Sequence, residues 1–369
     1  MIQNWYAILN ESEVPSPAVL LFPGRIEENV RRMIRLAGGS ERLRPHVKTH
    51  KIPQVLALQL AQGISRFKAA TIAECEMVAA AGGTDVLLAY PLVGPNIERF
   101  VQLVRRFPKT HFSALADHLG TVGLIDKIAG HSGVQFDMLV DLNVGQNRTG
   151  IVPGDGAADV YRAIHKSANL RAAGLHAYDG HLHGADHSKL VADAEKAFEP
   201  VWQLRDRLRA EGILVPKVVA SGTPTFPVLA QHSEVEVGCG TTILWDFGQS
   251  INSPDLDFLN AAVLLIRVIS KPCPGRLCLD LGHKAVASEM PHPRVKLLGL
   301  EDAQVVIHSE EHLVVETARA DAYEIGDVIY GIPRHVCPTV ALHHEVWTVR
   351  DGRATERWEV VARKRRITI

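Results

Sequence analysis

From residue 18 to about residue 245 the chain repeats one pattern: a short β-rich run, a stretch with helical spacing, then another β-rich run. The β-rich runs lie at 18–22, 43–48, 67–71, 86–89, 111–116, 136–142, 172–178, 218–220 and 234–237. Helical spacing marks segments between them, such as 26–36, 52–62 and 73–81. A repeat of roughly 20 to 35 residues is the signature of βα units laid on a parallel sheet. About eight such units fit a closed (β/α)8 barrel of the TIM type better than a doubly wound open sheet. After Trp245 the texture changes. Strand-like runs at 263–270, 276–281, 295–298, 304–308, 313–317, 328–331, 346–349 and 358–362 follow one another with few helical stretches. Turn signals such as Pro272-Cys273-Pro274-Gly275 and Asp351-Gly352 separate them. The expected architecture is an α/β barrel over 15–248 and an antiparallel β domain over 249–369, with residues 1–14 placed to join the latter.

Composition narrows what such a chain works on. Lys plus Arg number 40 against 41 Asp plus Glu, a formal net charge of −1, so the basic excess of a nucleic-acid binder is missing. No run of 18 apolar residues occurs, and the opening Met1-Ile2-Gln3-Asn4-Trp5-Tyr6 lacks a basic stretch leading into an apolar one. This reads as a chain without a membrane span or a secretory leader. Five cysteines, scattered from Cys75 to Cys337, form no disulfide framework, as expected of a reduced, cytoplasmic protein.

The residues able to do chemistry gather at the ends of the expected strands. Leu43-Arg44-Pro45-His46-Val47-Lys48-Thr49-His50-Lys51 carries a strand into Lys48, with a helix opening near Pro53. A lysine at the C-terminal end of a barrel strand points into the site and, partly desolvated among other cations, becomes a nucleophilic amine. Read blandly, it is a surface lysine on a βα loop. Ser221-Gly222-Thr223 and Gly240-Thr241 follow the last two barrel strands, where glycine turns with accessible N–H groups hold a phosphate. Arg148 lies just beyond the strand bearing Asp141, where it serves either a ligand or an ion pair at the rim. His335 and Cys337, two apart in a β-rich region, would project from one face of a strand; imidazole plus thiolate suits zinc, although such a pair is also common in half-buried strands.

These segments together resemble the D-threonine aldolase and D-serine dehydratase family, whose fold is of the alanine racemase type. The matching residues are Arg44-Pro45-His46-Val47-Lys48-Thr49-His50-Lys51, Asp141 to Gly150, Gly174-Leu175-His176-Ala177-Tyr178-Asp179-Gly180, the two glycine turns, and Pro333-Arg334-His335-Val336-Cys337-Pro338-Thr339. The resemblance implies pyridoxal 5'-phosphate carried by Lys48 and contacted by Arg148, Tyr178, Ser221, Gly222, Thr223, Gly240 and Thr241. It also implies a divalent metal, zinc, manganese or magnesium, on His335 and Cys337. The implied substrate is a β-hydroxy-D-amino acid, cleaved to glycine and an aldehyde. His181 or His183 stands near the place of the base that takes the hydroxyl proton. In the resembled aldolases an aspartate stands where this chain has Cys337, whereas the D-serine and D-threo-3-hydroxyaspartate dehydratases carry cysteine there. β-Elimination is therefore the alternative reaction. A non-catalytic pyridoxal-phosphate carrier is a further alternative, which the β domain argues against. A metal hydrolase built on His181 and His183 is the last. The resemblance further implies a homodimer in which the β domain of one subunit lies near the site of the other.

Overall fold

The structure, a computed structural model, describes residues 4–369. By their contacts these divide into two compact units: one takes the chain up to Val30 with Thr49–Val55 and Thr241–Arg363, the other Arg31–Lys48, Leu56–Gly240 and Lys364–Ile369.

Strand β1 (Ala18–Leu21) does not belong with the parallel strands that follow it. It pairs antiparallel with a later strand, Ala262–Ser270, and parallel with Glu345–Arg350. The expectation of a barrel strand at 18–22 is thereby corrected. Ala-Val-Leu-Leu is buried on both faces, and a run without alternation fits either kind of sheet.

The parallel sheet has seven strands: β2 (Arg66–Ala69), β3 (Asp85–Pro91), β4 (His111–Ala116), β5 (Phe136–Leu142), β6 (Leu170–Ala177), β7 (Val218–Ala220) and β8 (Val235–Val237), hydrogen-bonded in that order. Residues 43–46 lie between its two edges. Leu43 bridges Val237 and His46 bridges Lys68, while Lys68 N–H donates to the carbonyl of Pro45. The sheet thus curls round on itself, with this short irregular segment in the eighth place. Leu87, Leu115, Leu139, Ala173 and Val219, one from each of β3 to β7, pack together inside the curl. The helices on its outside have local causes: Thr71, for instance, caps Ile72–Ala80 by accepting from Glu74 N–H.

One irregularity positions the site. The β5–β6 register shifts at Gly174, whose φ is +139° and where a Cβ would lie 2.1 Å from the Lys217 carbonyl oxygen. Only glycine fits both constraints. A one-residue bulge reverses the alternation of a strand, so Ala173 faces the core and His176, not Leu175, faces inward beside its register partner Asp141.

The second sheet completes with β9 (Ala262–Ser270), β10 (Arg276–Leu279), β11 (Val295–Leu298), β12 (Gln304–His308), β13 (Leu313–Glu316), β14 (Val328–Pro333), β15 (Glu345–Arg350) and β16 (Arg353–Glu359). Its path runs β12-β13-β10-β9-β1-β15-β16, with β14 joining β9 to β11, and every pairing but β1–β15 is antiparallel. Ile8 and Val14 pack on Ala18, Leu20, Val263 and Leu265. Residues 4–14 therefore share this core; residues 1–3 of the expected 1–14 lie outside the described residues. No described helix is long and apolar enough to cross a membrane.

Candidate active site

Lys48 sits in a one-turn 3-10 helix, Val47–Thr49, not at the end of a regular strand. Pro45 has no N–H to give to a ladder, which is reason enough for the strand to fail before the lysine. Lys48 lines a cavity of about 510 Å3 with His46, Lys68, Arg148, His176 and Tyr178. The Tyr178 ring is its centre: Arg148 Cζ lies 4.8 Å from the ring centroid, Lys48 Nζ 5.6 Å and Lys68 Nζ 5.8 Å. Three cations about one aromatic ring attract anions.

His176 and Lys68 were not among the residues singled out from the sequence. His176 is buried, and its Nδ1–H donates to Asp141 Oδ1 at 2.7 Å. Burial lowers its pKa, opposed by Asp141 and reinforced by Lys68 and Arg148. The imidazole is thus neutral at pH 7, with Nε2 unpartnered among the described residues and free to accept a proton or a hydrogen bond. The bulge at Gly174 was the signal for His176, but a bulge is visible only once strands are paired. Lys68 had no signal in Phe67-Lys68-Ala69-Ala70 beyond its parity.

Around Ser221 the backbone is arranged by a buried carboxylate. Asp179 accepts from Gly222 N–H at 2.5 Å and from Thr225 Oγ1 at 2.6 Å, and burial raises its pKa despite these bonds. Ser221 is held at φ +81°, an uncommon conformation for a residue with a Cβ, and its buried Oγ has no partner among the described residues. Ser221, Gly222 and Thr223 follow β7; Gly240 is buried beyond the end of β8, and β7 and β8 are neighbours.

His335 and Cys337 are not on a strand, which corrects the expectation. β14 ends at Pro333, His335 is the N-cap residue of the helix Val336–Leu342, and Cys337 lies in its first turn. The Val-Cys-Pro-Thr-Val run reads as β, but Pro338 belongs in a first helical turn and Asp246 Oδ2 accepts from Val336 N–H at 2.9 Å, pinning the helix start. The two side chains still interact. Burial pulls the His335 pKa down, but Cys337, Glu289 and Asp246 outweigh it and lift the value to about 9. His335 Nδ1 is 2.5 Å from Glu289 Oε1. Cys337 Sγ lies 3.3 Å from Thr49 Oγ1 and 3.8 Å from Thr241 Oγ1. Thr241 itself opens a 3-10 turn, Thr241–Ile243. No group of three or more His, Cys, Asp or Glu among the described residues is arranged to hold a metal.

His181 and His183 are exposed in the loop after β6, and neither is among the residues lining the Lys48 cavity. His181 lies against Gly145, in a shallow depression with Val152 and Pro153. Asp186 in the same loop caps the helix His187–Ala210 by accepting from Lys189 N–H at 3.0 Å.

Comparison with known proteins agrees with this geometry. Residues 23–244, more than half the chain, match the family described as alanine racemase, N-terminal domain, and residues 261–349 match a putative serine dehydratase domain. A D-threonine aldolase from Arthrobacter sp. is 28% identical, with 95% of this chain and 93% of the relative aligned. A D-threo-3-hydroxyaspartate dehydratase from Delftia sp. is 26% identical over 93% of this chain and 96% of its own length. A D-threo-3-hydroxyaspartate dehydratase solved as a cysteine-to-alanine mutant in the metal-free form shares the fold, with a TM-score of 0.81 over 95% of this chain and 98% of that one, at 22% identity. The crystal structure of D-threonine aldolase from Filomicrobium marinum superposes with a TM-score of 0.90 at 27% identity, covering 97% of this chain and 98% of that one. These relatives are lyases of the aldolase and dehydratase kinds. The chain belongs to the alanine racemase N-terminal domain family, in its D-threonine aldolase and D-serine dehydratase branch.

Proposed function

We propose that the chain is a pyridoxal-phosphate-dependent lyase that cleaves the Cα–Cβ bond of a β-hydroxy-D-amino acid, giving glycine and an aldehyde. The observation that carries this reading is the Lys48 amine in a cavity with Lys68, Arg148, His176 and the Tyr178 ring, in a chain aligned end to end with a D-threonine aldolase. The residues fit the cofactor. Ser221 Oγ and His176 Nε2 are buried polar atoms without partners, and the three cations match an anionic ligand. When bound, pyridoxal phosphate supplies an electron sink for the pair left on Cα. Lys48 holds it covalently, and Ser221, Gly222, Thr223, Gly240 and Thr241 offer hydroxyls and N–H groups to its phosphate. Tyr178 and Arg148 present a ring face and a permanent positive charge. Neutral His176, oriented by Asp141, accepts a hydrogen bond or a proton at Nε2.

A divalent metal on His335 Nε2 and Cys337 Sγ would supply Lewis acidity, and the nitrogen-plus-sulfur donor set favours zinc. Glu289 behind His335 supports this reading, as does the description of a metal-free form for a D-threo-3-hydroxyaspartate dehydratase mutant. Cys337 favours a second reading, β-elimination of the hydroxyl to a keto acid and ammonia. Product analysis with D-threonine, D-serine and D-phenylserine separates the two. Glycine plus an aldehyde is the expected result, and a keto acid plus ammonia would move the chain to the dehydratases. Borohydride should bleach the yellow colour and leave a pyridoxyl group fixed to the peptide containing Lys48; a protein that stays colourless with added pyridoxal phosphate would end both readings.

A further inference from the structure

The cavity holds a second lysine that the proposed chemistry has not used. Lys68 is 2% exposed, and its Nζ, wholly buried, has no hydrogen-bond partner among the described residues. It belongs to β2 and lines the same cavity as Lys48. The backbone makes room for it: a Cβ at Gly238, just beyond β8, would lie 2.2 Å from Lys68 Nζ. An ammonium group carries three donors, and natural proteins rarely bury such a group without either a partner or a task.

We propose that Lys68 is the anion-binding lysine of this cavity, its ammonium group hydrogen-bonding an anionic oxygen other than the phosphate: the ring oxygen of pyridoxal phosphate or the carboxylate of the amino-acid substrate. The proposal rests on the reading of the chain as a pyridoxal-phosphate lyase, and it deepens that reading by naming what recognises the anion.

The neighbours of Lys68 leave this task open. Asp141 is engaged by His176 Nδ1, and Asp179 by Gly222 N–H and Thr225 Oγ1, so neither carboxylate offers Lys68 a short ion pair. Both still act on it at longer range, as does Cys239 beyond β8, while Lys48 repels it. Burial, the largest influence, and Lys48 together bring its pKa down to about 7 against the pull of Asp179, Cys239 and Asp141. Lys68 in turn helps keep His176 neutral. An anion arriving at Nζ supplies the missing charge, raises the lysine pKa and draws in a proton. Its binding should therefore weaken as pH rises above 7. Arg148 is exposed at the rim, whereas Lys68 is covered, so the charge-assisted bond at Lys68 forms away from bulk water.

The test uses the holoenzyme, with Lys68→Met and Gly238→Ala beside the wild type. Three quantities are read: the visible spectrum of the cofactor across pH, its dissociation constant by dialysis, and spectral titrations with glycine and with ethanolamine, which lacks the carboxylate. If the ring oxygen is the partner, Lys68→Met weakens cofactor binding about tenfold or more and displaces the pH dependence of the visible band before any amine is added. If the carboxylate is the partner, both stay put, while the glycine dissociation constant rises about tenfold or more and that of ethanolamine does not move. Either result supports the proposal. Gly238→Ala keeps the amine but crowds its seat, and should move the same quantity in the same direction by a smaller factor. Should Lys68→Met fail to fold, Gly238→Ala decides alone on these readouts. A yellow Lys68→Met protein that matches the wild type in all three would overturn the proposal and leave Lys68 a space-filling residue. A wild type that takes up no pyridoxal phosphate overturns the underlying reading with it, a result distinguishable from a yellow wild type and an indifferent variant.

Discussion

The two ends of the parallel sheet treat buried charge in opposite ways. At the N-terminal ends of the strands, Arg44 is 1% exposed and pairs with Asp85 at 2.7 Å and with Glu236 at 2.6 Å, while Arg66 reaches Glu236 at 3.1 Å. His111 bridges Asp137 at 3.0 Å and Asp85 at 3.6 Å, and Arg171 closes on Asp137 at 2.7 Å. Burial alone would raise the Asp85 pKa, but His111 and Arg44 hold it well below the usual carboxylate range. At the other end Lys68 Nζ, His176 Nε2 and Ser221 Oγ are buried without partners, and Ser221 is strained. One end is compensated and stabilises the barrel. The other carries uncompensated groups that cost stability until a ligand meets them, which is how a binding site differs from a structural ion network.

Stability measurements on cofactor-free protein can break this comparison. Asp85→Ala removes one partner of a buried arginine and should cost about 3 to 5 kcal/mol in urea unfolding, leaving the Lys48 cavity intact. Lys68→Met should act with the opposite sign, a gain of about 2 to 4 kcal/mol near pH 6, because it removes a buried charge that no hydrogen-bonded partner among the described residues compensates. The pH dependence follows from the folded value of about 7 against the ordinary 10.5. Between those values the unfolded chain binds more protons than the folded one, so wild-type stability rises with pH and the advantage of Lys68→Met shrinks. A Lys68→Met protein less stable than the wild type at pH 6 would mean that the two ends are alike.

The same contrast explains what the sequence made legible. The βα repeat depends on local periodicity and turn residues, so β2 to β8 were visible before folding. Lys48 was visible because Pro45 and the surrounding cationic segment are contiguous. Ala18–Leu21 was assigned to the wrong sheet because a fully apolar run does not record its partners. The helix at His335 was hidden because its start is held by Asp246, about ninety residues away. His176 faces inward only through the bulge at Gly174, and Lys68 is distinguished by the lack of a partner in three dimensions. Local chemistry was readable. Compensation, or its absence, is a property of residues that only the fold brings together.

The smallest expected effect sharpens the comparison most, because it lies in the same pH range as Lys68 and slopes the other way. Asp137 first, and Asp85 with it, lift the His111 pKa to about 9 from the ordinary 6.5. A raised histidine contributes its full stability below the unfolded value and loses it as pH climbs through the folded one. The shift would amount to about 3 kcal/mol if taken at face value, but the side chain is 40% exposed, and screening reduces this to about 1 kcal/mol. Urea unfolding of wild type and His111→Gln at pH 6, 7.5 and 9.5 should therefore show the wild type ahead at pH 6 and the difference closing at the highest value. Over the same interval the wild type should gain on Lys68→Met. Parallel trends for the two variants would show that charge at both ends of the sheet is equally compensated, and the distinction between a structural end and a binding end would not survive.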